Sequence, residues 1–348
     1  MIFNGLKVSK SLALCKHLIL LFCLVFITQN IAEAHHGAEG IFTQGGGLAG
    51  PIITIPAYTL PKGIKYFGLG TDYINFDTFS SSQLVGFNNH GKDVHTTNNL
   101  FIPTAYGGLG ITDKLTLTTS IPYVCMFGVN TAEGGKAINL GNSIGIGDIT
   151  FLGKYRFLKI DKFNLQSSLV AGIKIPSGVH RDRNNQGGLF EADDQPATGS
   201  WDPLVGLAIS KKIKSIFFST NFLYKFSTKG TQSTVVGDVA SYNVAATYRI
   251  NDKICILNKI FPQHISKKDL IWDLVLEGNG QWAESPQMGN EIDINHGGTL
   301  IYLTPGIRIT YDKKWISNIA VGFPVIHALN GIQKPPDVRL IFGIVRAF

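Results

Sequence analysis

The 348-residue sequence predicts an all-β fold, a transmembrane antiparallel β-barrel of about 12 strands that follows a cleaved N-terminal signal peptide. Three observations predict it. The last dozen residues alternate up to a terminal phenylalanine, the first 34 have the make-up of a secretory leader, and short and long connections take turns in between.

Val338, Leu340, Phe342, Ile344 and Phe348 fall on one face of an extended chain, and Arg339, Gly343 and Ala347 on the other. This is the period of a strand with lipid on one side. Ending on Phe348 is also what an outer-membrane barrel presents to its assembly machinery, so outer-membrane lipid and that machinery are the expected partners. Arg346 breaks the apolar face near its end, where a charge costs least.

At the other end Lys7, Lys10 and Lys16 precede an apolar run from Leu18 to Ile27, and Ala32-Glu33-Ala34 supplies small residues for cleavage. Residues 1–34 therefore read as a signal peptide, with a mature chain from His35. The run falls short of the roughly 20 apolar residues that a membrane-spanning helix needs. Cys15 and Cys23 leave with the leader. Cys125 and Cys255 stay in an oxidising compartment, their pairing left open. Without Lys7, Lys10, Lys16 and Glu33, the 31 basic and 24 acidic residues become 28 and 23, a net +5. This excess is unclustered, and no nucleic-acid partner is expected.

Residues 35–63, rich in glycine and proline, read as a periplasmic or lumenal arm, and 64–348 as the barrel. Strands are expected at 64–76, 97–111, 115–125, 145–158, 163–175, 201–210, 215–226, 238–250, 269–282, 298–310, 315–325 and 337–348. The turns at 112–114, 159–162, 211–214 and 311–314 are tight and charged, whereas 77–96, 126–144, 176–200, 227–237, 283–297 and 326–336 are long and polar. Short periplasmic turns and long outer loops would put both termini in the periplasm. The segment 251–268 breaks the rhythm.

Strand parity turns Asp148, Lys154, Arg156, Lys174, Lys225, Arg249, Asp273, Glu277, Arg308 and Arg339 inward, seven basic residues against three acidic. Either these charges pair and stiffen a narrow barrel, or they line a solute pathway. Pro305, inside its strand beside Gly306, predicts a local bulge or kink, since proline gives no ladder hydrogen bond. His35 and His36 at the mature terminus offer an amine and two imidazoles to copper or nickel. No catalytic set emerges. Gly145-Ile146-Gly147-Asp148 lacks the helix that would receive a phosphate, and His264, His296 and His327 match no serine motif. The chain is expected to be no enzyme and to carry no cofactor.

Gly110-Ile111-Thr112-Asp113-Lys114-Leu115 running to Ser120-Ile121-Pro122-Tyr123, then Gly145-Ile146-Gly147-Asp148 and Lys154-Tyr155-Arg156-Phe157, resemble the outer-membrane proteins of the phenol-degradation MetA-pathway family. Ile175-Pro176-Ser177-Gly178, Leu303-Thr304-Pro305-Gly306, Phe323-Pro324-Val325 and Asn330-Gly331 extend the likeness over most of the chain after residue 48. The resemblance implies an outer-membrane channel for small hydrophobic or aromatic molecules. The alternatives are a plugged barrel that is structural or binds a partner, and a metal-linked porin.

Overall fold

The computed structural model describes residues 50–250, 270–289 and 291–348. In chain order the strands are β1 Lys65–Phe76, β2 Asn99–Thr112, β3 Leu115–Glu133, β4 Lys136–Ile146, β5 Ile149–Ile160, β6 Leu165–Ile175, β7 Asp202–Ile213 and β8 Ile216–Lys225. They continue with β9 Thr234–Val235, β10 Val239–Ile250, β11 Leu270–Ala283, β12 Gln287–Met288, β13 Glu291–Ile292, β14 Gly298–Tyr311, β15 Trp315–Leu329 and β16 Pro336–Ala347. Twelve of them (β1, β2, β3, β5, β6, β7, β8, β10, β11, β14, β15 and β16) form one antiparallel barrel. It closes where β16 returns to β1, from Tyr66 opposite Ala347 to Phe76 opposite Pro336. Closure leaves these strands no open edge, the condition for crossing lipid in extended form.

The tight turns form because residues at their tips accept left-handed backbone. Asp312 and Lys313 (φ 49° and 52°) adopt it consecutively, and Asn164 and Lys214 adopt it singly. Such a turn matches the twist of the strands it joins. The short-turn end also holds both ends of the barrel wall, and Phe348 donates its N–H to the Lys65 carbonyl at 2.8 Å.

Alternation assigns the faces as expected. On β8, Phe218 and Phe222 are exposed while Ser219, Asn221 and Lys225 are buried; on β16, Leu340, Phe342 and Ile344 are exposed while Arg339, Ile341 and Val345 are buried. Arg346 lies on the exposed face, its guanidinium 5.1 Å from the Trp315 ring centre and 4.9 Å from that of Phe348. Two aromatic faces thus accompany the charge that interrupts the apolar stripe.

Three segments differ from the sequence reading. Residues 126–144 are no loop: β3 runs on to Glu133, turns at Gly134-Gly135 and returns as β4. Irregular register around Met126, Val129 and Asn130 breaks the period of two that would have shown this. The 77–96 connection contains a helix, α1 Ser81–Asn89, started by a capping box between Ser80 and Gln83. Among the described residues no helix is long and apolar enough to cross a membrane.

At Pro305 the ladder to β11 is continuous. Toward β15, Leu303 pairs with Phe323 and Gly306 with Ala320, leaving a two-residue gap in one register. The register shift falls instead between Ile301 and Tyr302. The expected kink is therefore a one-sided loss of pairing, and the wall resumes beyond it. The 251–268 segment, Cys255, residues 1–34 and the histidine pair His35 and His36 lie outside the described residues.

Candidate functional site: a lumen occupied by the N-terminal arm

Pro51, Pro56 and Pro61 keep residues 50–62 from joining a ladder, so the buried backbone there needs side-chain partners. The barrel interior supplies them. Glu277 accepts hydrogen bonds from the N–H groups of Ile53 (3.0 Å) and Thr54 (2.8 Å) and from the Thr54 hydroxyl (2.7 Å). Asn221, Ser210 and Thr116 accept from the N–H groups of Ile55, Ala57 and Leu60, each at 2.8 or 2.9 Å. In the other direction Lys154 donates to the Pro56 carbonyl (2.8 Å), Ser168 to that of Ala57 (2.6 Å), and Arg308 to those of Gly50 and Pro51 (3.0 Å each).

Apolar packing completes the seat. Ile55 and Ala57 join Leu152, Val170, Leu204, Ala208 and Leu223; Ile52 joins Val275, Ala320 and Ile341; Leu60 joins Tyr66, Tyr106, Ile316 and Val345. The arm enters at the short-turn end, where Gly63 donates to the Gly110 carbonyl at 2.8 Å. A Cβ on Gly110 would lie 2.1 Å from the Pro61 carbonyl oxygen, so a glycine is needed there for the arm to pass.

Of the ten residues turned inward by parity, Asp148, Lys154, Lys174, Lys225, Asp273, Glu277, Arg308 and Arg339 are buried. Lys154, Glu277 and Arg308 bind the arm. Lys174 bridges Asp148 (2.9 Å) and Asp202 (2.8 Å), while Asp148 also accepts from the backbone of Ser177, Gly178 and Thr198 at 3.1 Å. That knot fastens both ends of the 176–200 loop. Arg249 forks onto Asp273 at 2.8 and 3.0 Å, and Arg339 onto Asp72 at 2.9 Å. Arg156 is less buried, donating to Gln166 (3.1 Å) and to the Asp113 carbonyl (2.8 Å) near the short-turn end.

The seven-to-three excess of basic residues needs correcting. Asp72 and Asp202, both fully buried and both in ion pairs, belong to the interior as well. Parity would have found them, since Asp72 alternates with exposed Phe67 and Leu69 on β1, and Asp202 with Val205 and Leu207 on β7. Cys125 is buried too.

Toward the long-loop end the lumen changes character. Phe76, Leu100, Ile102, Val124, Met126 and Val239 line one side of a partly open cavity of about 160 Å³. Thr97, Gln281, Glu284, His296 and, from the long loop, Asp193, Gln195 and Thr198 supply its polar lining.

No family model matches this chain and no curated protein matches it. Among solved structures it is similar to the COG4313 outer membrane channel from Pseudomonas putida F1, with a TM-score of 0.52 at 16% identity over 84% of this chain and 98% of that one. The fold is that of an outer-membrane β-barrel. The NanC porin (TM-score 0.40, 10% identity, 81% of this chain and 98% of that one) and LpxR from Salmonella typhimurium (0.40, 10%, 80% and 99%) are more distant. The likeness agrees with the outer-membrane barrel that the short motifs implied, and these comparisons do not confirm the phenol-degradation family itself.

Proposed function

We propose that this chain is an outer-membrane channel for small hydrophobic or aromatic molecules, with both termini in the periplasm, long loops outside and residues 50–62 as an internal gate. The observation that carries this reading is the largely apolar cavity at the long-loop end of the lumen, beyond the seat of the arm. An apolar space of about 150 Å³ is enough to hold benzene. A solute captured there meets the arm next, so passage requires the arm to yield. Among the basic interior residues Lys154 and Arg308 seat the arm, while Lys174, Arg249 and Arg339 pair with aspartates, an arrangement that serves gating rather than an open charged path.

The test is conductance and solute flux in planar bilayers and loaded liposomes, comparing the mature chain with a variant lacking residues 50–62. Low, fluctuating conductance that becomes large and steady on deletion, together with faster loss of a small aromatic from the liposomes, is the expected result. The number of polar and apolar contacts holding the arm favours a second reading, a permanently plugged barrel whose loops bind a partner. Silence from both proteins, each shown to be folded, would select it.

A further inference from the structure

Three connections converge at the long-loop end. Asp93 and His95 come from the segment between α1 and β2, Glu191 and Asp194 from the loop between β6 and β7, and Asp293 and His296 from the one between β13 and β14. His95 Nε2 lies 3.4 Å from Asp93 Oδ1 and 3.6 Å from Glu191 Oε1, and the ligand atoms of the three residues all fall within 4.8 Å of one another. Bonds of about 2.0–2.2 Å at a tetrahedral angle would separate neighbouring ligand atoms by roughly 3.3–3.6 Å. The two measured separations have that spacing.

A second observation points to a ligand. Asp194, with no exposed surface, holds His95 Nδ1 at 3.0 Å through Oδ2, while its Oδ1 has no hydrogen-bond partner among the described residues. A buried carboxylate on one ring nitrogen is the usual means of fixing an imidazole whose other nitrogen binds a metal. Asp193, Asp293 and His296 form a second group beside the first, so five carboxylates with Asp93, Glu191 and Asp194 face two imidazoles. The Asp93 side chain, 73% exposed, leaves an approach from solvent.

We propose that Asp93, His95 and Glu191 bind a divalent cation of the zinc class, with Asp194 as the positioning residue, and that the ion ties two outer connections together. One imidazole with two carboxylates suits a first-row dication better than calcium, which prefers six or more oxygens. The site is independent of the transport reading, since it involves neither the arm nor its seat.

The test uses the mature chain, folded in detergent, stripped with chelator and titrated calorimetrically with zinc chloride, with manganese and calcium chlorides in parallel. Zinc should bind at about one ion per chain and more tightly than calcium. H95A and E191Q should each weaken it at least about tenfold, and D194N by about tenfold with the number of ligands unchanged by X-ray absorption. All three variants should remain heat-modifiable on gels, which separates lost binding from lost folding. No zinc uptake, a preference for calcium, or equal affinity in wild type, H95A and E191Q would each overturn the proposal.

Discussion

Glu277 on β11 accepts the N–H of Ile53 at 3.0 Å across 224 residues of sequence, so that one buried carboxylate holds, inside the lumen, a segment that is no part of the barrel wall. Its Oε2 also accepts from both the Thr54 N–H and the Thr54 hydroxyl. Hydrogen bonds to an ionised acceptor are the stronger kind, and orphaning the donors would cost roughly 3 kcal/mol or more.

Glu277→Ala should therefore free the arm while leaving the barrel assembled. Planar-bilayer recordings would show conductance approaching that of the chain lacking 50–62, and unchanged traces from a folded variant would contradict the role given to this residue.

Gly110→Ala addresses the same arm from its point of entry. The added Cβ meets the Pro61 carbonyl at 2.1 Å, and a backbone oxygen cannot rotate away as a side chain would. We expect exposed Lys62 beside it to be cut faster by trypsin in the folded variant; equal cleavage rates would show that the arm tolerates the extra carbon.

The pair Arg339–Asp72 tests the interior electrostatics. Asp72→Ala leaves a buried guanidinium without its carboxylate and should cost about 3–5 kcal/mol, whereas the double change with Arg339→Met should restore most of the loss. Urea unfolding in lipid vesicles measures both. A double variant no more stable than the single one would mean that the packing of these side chains, and not their charge, sets the cost.

The apolar exterior is tested by contrast. Phe342→Arg places a charge in the middle of the exposed face of β16 and should destabilise the vesicle-embedded barrel by about 2–4 kcal/mol. Arg346→Leu, near the end of the same strand where the guanidinium rests between Trp315 and Phe348, should change stability by no more than about 1 kcal/mol. Equal effects at the two positions would argue against lipid on that face.

The barrel was legible in the sequence because its governing signals are local. A side-chain period of two fixes which residues face out, and a charged turn of three or four residues fixes which strands are neighbours, so Phe218 and Lys225 could be assigned opposite faces without coordinates. Where local signals fail, so did the reading: the irregular register near Val129 hid the β3–β4 hairpin, and capping chemistry at Ser80 went unread.

Tertiary structure alone decided which residues meet. Nothing between Pro51 and Pro61 specifies that its backbone will be satisfied by Glu277, Asn221, Ser210, Thr116 and Lys154, because those partners come from five separate strands and converge only once the sheet has closed. Likewise parity marks Asp72 as interior but does not name Arg339 as its partner, and Asp93, His95 and Glu191 become neighbours only when their loops fold over one rim. Periodicity is carried along the chain; contact between distant side chains depends on barrel closure and shear, which no single segment encodes.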